Sequence, residues 1–123
     1  MKQYQLASFP GDGIGPEVVS ETHKVLDAAG DKFGFGIKWH VQPYGAEYYL
    51  ANGRALPETA MNELGQFDAM LLGAIGDPRI PPGPLEQEIL LALRFRFDQY
   101  VNLRPALSFP GVPLPVALPE GQE

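Results

Sequence analysis

The stretch PGDGIGPEVV, Pro10 to Val19, sets three glycines and two prolines between an apolar run and a helix-forming one, and its reading decides the fold. Upstream, Tyr4 to Phe9 reads as a short strand ending at Pro10. Downstream, Pro16 stands where a helix starts, a position at which its missing N–H does no harm. Val18, Val19, Thr22, Val25, Leu26 and Ala29 then recur at helical spacing, and Gly30 is the expected stop. Such a turn is either plain strand-to-helix reversal or a ligand site, because a helix N-terminus attracts negative charge. Asp12 and Glu17 already offer such charge and read as helix-start residues rather than a catalytic pair.

Two familiar phosphate loops are excluded. A dinucleotide fingerprint needs G-x-G-x-x-G, and here Pro16 fills the third slot after Gly11 and Gly13. That fold also wants an acidic residue at the end of its second strand, where WHVQP supplies none. A P-loop needs Lys-Ser or Lys-Thr after its last glycine, and Pro16-Glu17 stands there instead.

Working outward, Gly36 to Val41 reads as a second strand, and Ala46 to Leu50 as a helix broken at Asn52-Gly53. Pro57 opens another helix, with Met61 and Leu64 facing inward and Gly65 at its end. Phe67 to Leu72 (FDAMLL) is a third strand, apolar enough to be buried on both faces as strands of parallel sheets are. The order β-α-β-α-β predicts the α/β class, a parallel sheet with flanking helices. The Gly- and Pro-rich loop Gly73 to Pro84 follows, then a helix from about Leu85 to Phe97. Val101 to Leu103 is extended, and Pro105 biases Arg104 away from helix. Nine of the 13 prolines lie at or beyond Pro78, five of them from Pro105 on. That end reads as a linker or frayed end, so the chain is expected to be a fragment.

Composition bounds the function. With 123 residues, 45% hydrophobic and 20% charged, the chain suits one modest core. A net charge of −6 argues against a nucleic-acid surface, which needs clustered Lys and Arg. The absence of cysteine excludes disulfides, thiolate metal sites and cysteine nucleophiles. No signal-like N-terminus or apolar run of membrane-spanning length occurs, so the expectation is a cytoplasmic protein with no membrane partner.

The chemistry concentrates in LLALRFRFDQYVNLRP, Leu90 to Pro105. On a helix Leu90 and Leu91 share a face with Arg94, at spacings of four and three. That face suits a ligand with a carboxylate at one end and a branched hydrocarbon at the other. Arg104 converges on the same ligand if helix and strand meet, and two forked cations fit a dicarboxylate. The competing reading is a leucine-rich helix packed into a core with arginines snorkelling to water. Arg96 points away from Arg94. His23 reads as a solvated surface residue, His40 has no second ligand near it to suggest a metal, and Asp68 reads as a turn or rim residue.

Three phrases in order, PGDGIGPEVV, LLGAIGDPRIPPG and LRFRFDQYVNLRPALSFPGV, together resemble the β-decarboxylating dehydrogenases, the family of isopropylmalate, isocitrate, tartrate and D-malate dehydrogenases. LEQEILLAL, Leu85 to Leu93, is most similar to the isopropylmalate branch, and FDQYVNLRP is equally similar to the tartrate and D-malate branch. The resemblance implies a partial isopropylmalate dehydrogenase-like fold. Residues 1–100 would form the N-terminal part of the first, cofactor-side domain, and 101–123 the start of the crossover into a second. It implies NAD-dependent oxidative decarboxylation of a 2-hydroxy dicarboxylate, with Mg2+ or Mn2+ and a homodimer. By resemblance Arg94, Arg104, Leu90, Leu91 and Glu86 bind substrate, and Ile14, Gly73, Ala74 and Ile75 line the nicotinamide end of the cleft. The catalytic residues and metal ligands are expected beyond Glu123, so the chain alone should be inactive. Ile89, preceded by Glu88, departs from the glycine usual in the isopropylmalate branch, so tartrate/D-malate dehydrogenase stands as the alternative. A noncatalytic carboxylate-binding or assembly module is the alternative if the chain truly ends at Glu123.

Overall fold

The computed structural model describes residues 1–105, 107, 109 and 111–113. Its framework is a three-stranded parallel sheet in the order β2-β1-β3. Strand β1 (Lys2–Gly11) is central, β2 (Phe35–Val41) pairs along its first part and β3 (Ala69–Ala74) along its second. Tyr4 opposes Ile37 and Phe9 opposes Leu72. Helix α1 (Gly15–Phe33) connects β1 to β2, and α2 (Ala46–Asn52) and α3 (Glu58–Leu64) connect β2 to β3. A π-helical stretch, Glu86–Leu91, then runs directly into α4 (Ala92–Arg96).

Alternation along β1 assigns its two faces. Ala7 and Phe9, both fully buried, face a core made with Ala46 of α2, Ala60, Met61 and Leu64 of α3, and Ile80, Leu85, Ile89 and Leu93. Ser8 faces α1, where its hydroxyl meets His23 Nε2 at 2.9 Å. Helices therefore cover both faces, as the α/β reading requires.

Several expectations are corrected. Helix α1 passes through Gly30 and ends at Gly34, whose φ of +78° supplies the left-handed cap and whose N–H bonds the Gly30 carbonyl at 2.8 Å. Gly30 serves close approach instead, since a Cβ there would lie 2.6 Å from the Phe35 carbonyl oxygen. Of the apolar α1 residues, Val19 is buried, whereas Val18 and Val25 are exposed. His23 is not a solvated surface residue, because it stacks on Trp39 with ring centroids 3.9 Å apart besides contacting Ser8. Strand β3 starts at Ala69 rather than Phe67 and is half-buried, since among the described strands it forms a sheet edge and the doubly covered strand is β1. The Asp68 carboxylate accepts the Gln5 N–H at 2.7 Å on the rim. Residues 101–105 form neither helix nor strand and are exposed. Most of the expected linker beyond them, including 114–123, lies outside the described residues.

Replacing a helical glycine by alanine ordinarily stabilises a helix by about 1 kcal/mol. Gly30→Ala should instead lower stability by about 1–3 kcal/mol, because backbone at Phe35 has to move. Urea unfolding of the 123-residue chain decides the sign, and a raised midpoint would defeat the close-approach explanation.

Candidate functional site

The glycine turn is built around the junction of β1 and β3. A Cβ on Gly11 would fall 2.0 Å from the Ala74 carbonyl oxygen, and one on Gly15 would fall 2.0 Å from that of Pro10. Two of the three glycines are thus required by backbone contact rather than by a ligand. The turn also supplies its own anion. Asp12 is almost fully buried, its N–H donates to the Ala74 carbonyl at 2.7 Å, and its carboxylate accepts the N–H of Ala46 at 2.7 Å and of Gly76 at 3.0 Å. Its carboxylate thus serves the start of α2 and the loop at Gly76, whereas toward α1, the helix it precedes in sequence, only its backbone carbonyl acts, accepting the Gly15 N–H at 2.8 Å.

Beside this junction the loop after β3 is held by ions. Arg79 bonds both Asp77 oxygens, at 2.8 and 2.7 Å, and reaches the Glu47 carboxylate on α2. The Arg79 guanidinium and backbone N–H hold the Asp77 carboxyl down to about 2, while Asp77 and Glu47 raise the pKa of Arg79.

The second feature is a pocket of about 360 Å³ between β3, the helix and the exposed arm after it. Met70, Leu72, Leu90, Leu91 and Leu93 form its apolar wall, and Arg94, Gln99, Asn102 and Arg104 its polar one. Four of the residues singled out in the sequence, Leu90, Leu91, Arg94 and Arg104, thus share one cavity. Such a cavity can take an anion with a hydrocarbon branch: guanidiniums pair with carboxylates and the aliphatic wall desolvates the branch. The core alternative for the leucines is met by their neighbours, since Ile89 and Leu93 are buried.

Glu86 is not part of this lining. Its carboxylate accepts the Gly83 N–H at 2.9 Å. Glu88 accepts the buried Ala55 N–H at 2.7 Å and Ile89 is fully buried, so neither of these departures from the glycine pattern lines the pocket. Arg96 bonds Asn62 of α3 at 2.7 Å, away from the site. Met70, Leu72, Gln99 and Asn102 were not singled out. The first two carried a usable signal, because they are two apart on a strand and share the face toward the helix.

The residues considered for the cofactor lie elsewhere, at the C-terminal ends of β1 and β3, the end where α/β sheets bind ligands. Ile14 is 65% exposed and borders an open groove with Glu17, Val18, Glu21, Thr22 and Val25. A Cβ on Gly73 would meet the Pro10 carbonyl oxygen at 2.4 Å, so glycine there reflects packing. Ala74 gives its carbonyl to Asp12, and the Ile75 side chain lies over Gly11. Among the described residues no group of three or more His, Asp or Glu could hold a metal ion, and no helix is long and apolar enough to cross a membrane.

A parallel sheet covered by helices on both faces places the chain in the α/β class. The isocitrate/isopropylmalate dehydrogenase family model matches residues 5–119, and the chain belongs to that family. It is 50% identical over 113 residues to 3-isopropylmalate dehydrogenase of Thermobifida fusca, covering 92% of this chain and 32% of the relative. With the Saccharopolyspora erythraea enzyme of the same name identity is 49% over 121 residues, covering 94% and 32%. The chain therefore spans about a third of the length of these relatives. The crystal structure of a β-decarboxylating dehydrogenase from Thermococcus kodakarensis in its apo form matches with a TM-score of 0.62 at 32% identity, over 79% of this chain and 27% of that one.

Asp12→Ala leaves two backbone N–H groups without their acceptor and should cost about 2–4 kcal/mol in urea unfolding. A loss below about 0.5 kcal/mol would show the carboxylate to be dispensable. Asp77, whose carboxyl is depressed in the folded chain, stabilises it above the usual carboxylate pKa near 4, and this contribution disappears as pH falls toward 2. In Arg79→Ala the Asp77 carboxyl followed by NMR should titrate above its folded value of about 2 but still below the usual carboxylate value near 4, because the guanidinium is lost while the backbone N–H of residue 79 remains bonded to it.

Proposed function

We propose that the chain is part of an NAD-dependent oxidative decarboxylase acting on 3-isopropylmalate, in leucine biosynthesis. The convergence of Arg94 and Arg104 on one cavity with Leu90 and Leu91 carries this reading. In it the guanidiniums grip the carboxylates, and the leucines with Met70 and Leu72 cover the isopropyl branch. Relatives named 3-isopropylmalate dehydrogenase at about half identity support that substrate over tartrate or D-malate. Residues 1–100 serve as the N-terminal part of the cofactor-side domain, and 101–123 as the start of the crossover. The setting we infer is a cytoplasmic homodimer.

NAD, when bound, accepts the hydride. Ile14 fits its nicotinamide end, since it offers exposed uncharged surface at the C-terminal end of β1, and the backbone of Gly73 to Ile75 would line the same end. The described residues offer no ligand set for Mg2+ or Mn2+, nor a group assigned to proton transfer. Their contribution is to bind and orient: the arginines fix the dicarboxylate and complement its charge, and the apolar wall excludes water from the branch.

The test is a hybrid in which this chain replaces the matching third of the Thermobifida fusca enzyme. NADH formation should be fastest on 3-isopropylmalate among the three malates. Arg94→Ala should lower kcat/KM by about 2–5 kcal/mol, or at least about thirtyfold, and an unchanged kcat/KM would refute the placement. The 123-residue chain alone should produce no NADH.

A further inference from the structure

We propose that Asp98 is a positioning residue, whose left-handed turn folds the arm carrying Arg104 back against α4 so that both arginines line one pocket. Its functional meaning rests on the carboxylate reading given above. Had the helix continued from Arg94 to Arg104, the ten intervening steps would separate the two by about 15 Å along the axis. Convergence therefore requires a chain reversal, and the reversal is made at Asp98.

Its geometry is specific. The Asp98 N–H reaches the Phe95 carbonyl at 3.4 Å and the Gln99 N–H reaches the Arg94 carbonyl at 2.9 Å, the pair of bonds that closes a helix through one left-handed residue. The Tyr100 N–H then bonds the Asp98 carbonyl at 2.8 Å. Asp98 has φ +48°, and every other residue at positive φ among those described is glycine. Aspartate tolerates this conformation because its side chain is short and polar, whereas a β-branched residue does not. The turn thus binds the backbone of one pocket arginine directly to the arm that bears the other. Gln99, the first residue of that arm, itself lines the pocket.

The test uses the 123-residue chain as wild type, Asp98→Asn, Asp98→Gly and Asp98→Val. Two NMR readouts are followed: exchange protection of the Gln99 amide, and the shifts of the Arg94 and Arg104 Nε–H groups on titration with 3-isopropylmalate. Asn and Gly, which accept positive φ, should keep protection and apparent Kd within about twofold of wild type. Val should remove the protection and weaken binding about tenfold, while the amides of β1 stay protected because Asp98 is exposed and outside the core cluster. A Val variant with wild-type protection and affinity overturns the proposal, as does a Gly variant as impaired as Val. If Gln99 protection follows the expected pattern but neither guanidinium responds to ligand in wild type, the positioning stands and the carboxylate reading fails.

Discussion

A single buried carboxylate joins three parts of the fold. Asp12 follows the central strand β1, and through its side chain and backbone it binds the first N–H of α2, the end of β3 and the loop beyond it. A buried charge is tolerated when its oxygens are hydrogen-bonded, and both Asp12 oxygens are. The glycines around it follow from this arrangement. Strands β1 and β3 meet so closely at their C-terminal ends that Gly11 and Gly15 have no room for a side chain. The turn that resembles a phosphate loop in outline is a structural joint holding its own anion.

That joint fixes the direction in which β3 leaves the sheet, and the pocket depends on β3. Met70 and Leu72 supply part of its wall, while the helix beginning near Leu85 supplies the rest and anchors itself through Ile89 and Leu93. Glu88 ties the same helix to Ala55 between α2 and α3. The π-helical stretch Glu86–Leu91 falls on the segment carrying Leu90 and Leu91, and such insertions are common at functional sites. Packing therefore holds the leucines and Arg94 from behind, and Arg104 arrives on an exposed arm.

Much of this was legible in the sequence because its signals are local. Met61 and Leu64 read as core residues from helical spacing, and both are buried. Alternating strand and helix patterns gave the α/β class, and the spacing of Leu90, Leu91 and Arg94 gave their shared face. The misreadings also share a cause. Gly30 looks like a helix stop because local grammar assigns glycine to caps, yet it is required by Phe35 across the α1–β2 turn. His23 looks solvated because the Ser8 and Trp39 that hold it are distant in sequence.

What the sequence by itself determined is the element order, the class and the family, because periodicity and motif phrases act over a few residues at a time. What only the tertiary structure decided is which charges are taken up by architecture and which border a cavity. Asp12, Glu86 and Glu88 are occupied by backbone N–H groups at Ala46, Gly83 and Ala55, whereas Arg94 and Arg104 line open space. The two longest of those pairings join residues more than 30 positions apart. Hydrogen bonds of a few ångströms between such residues are set by how the layers pack, a relation that no local pattern encodes.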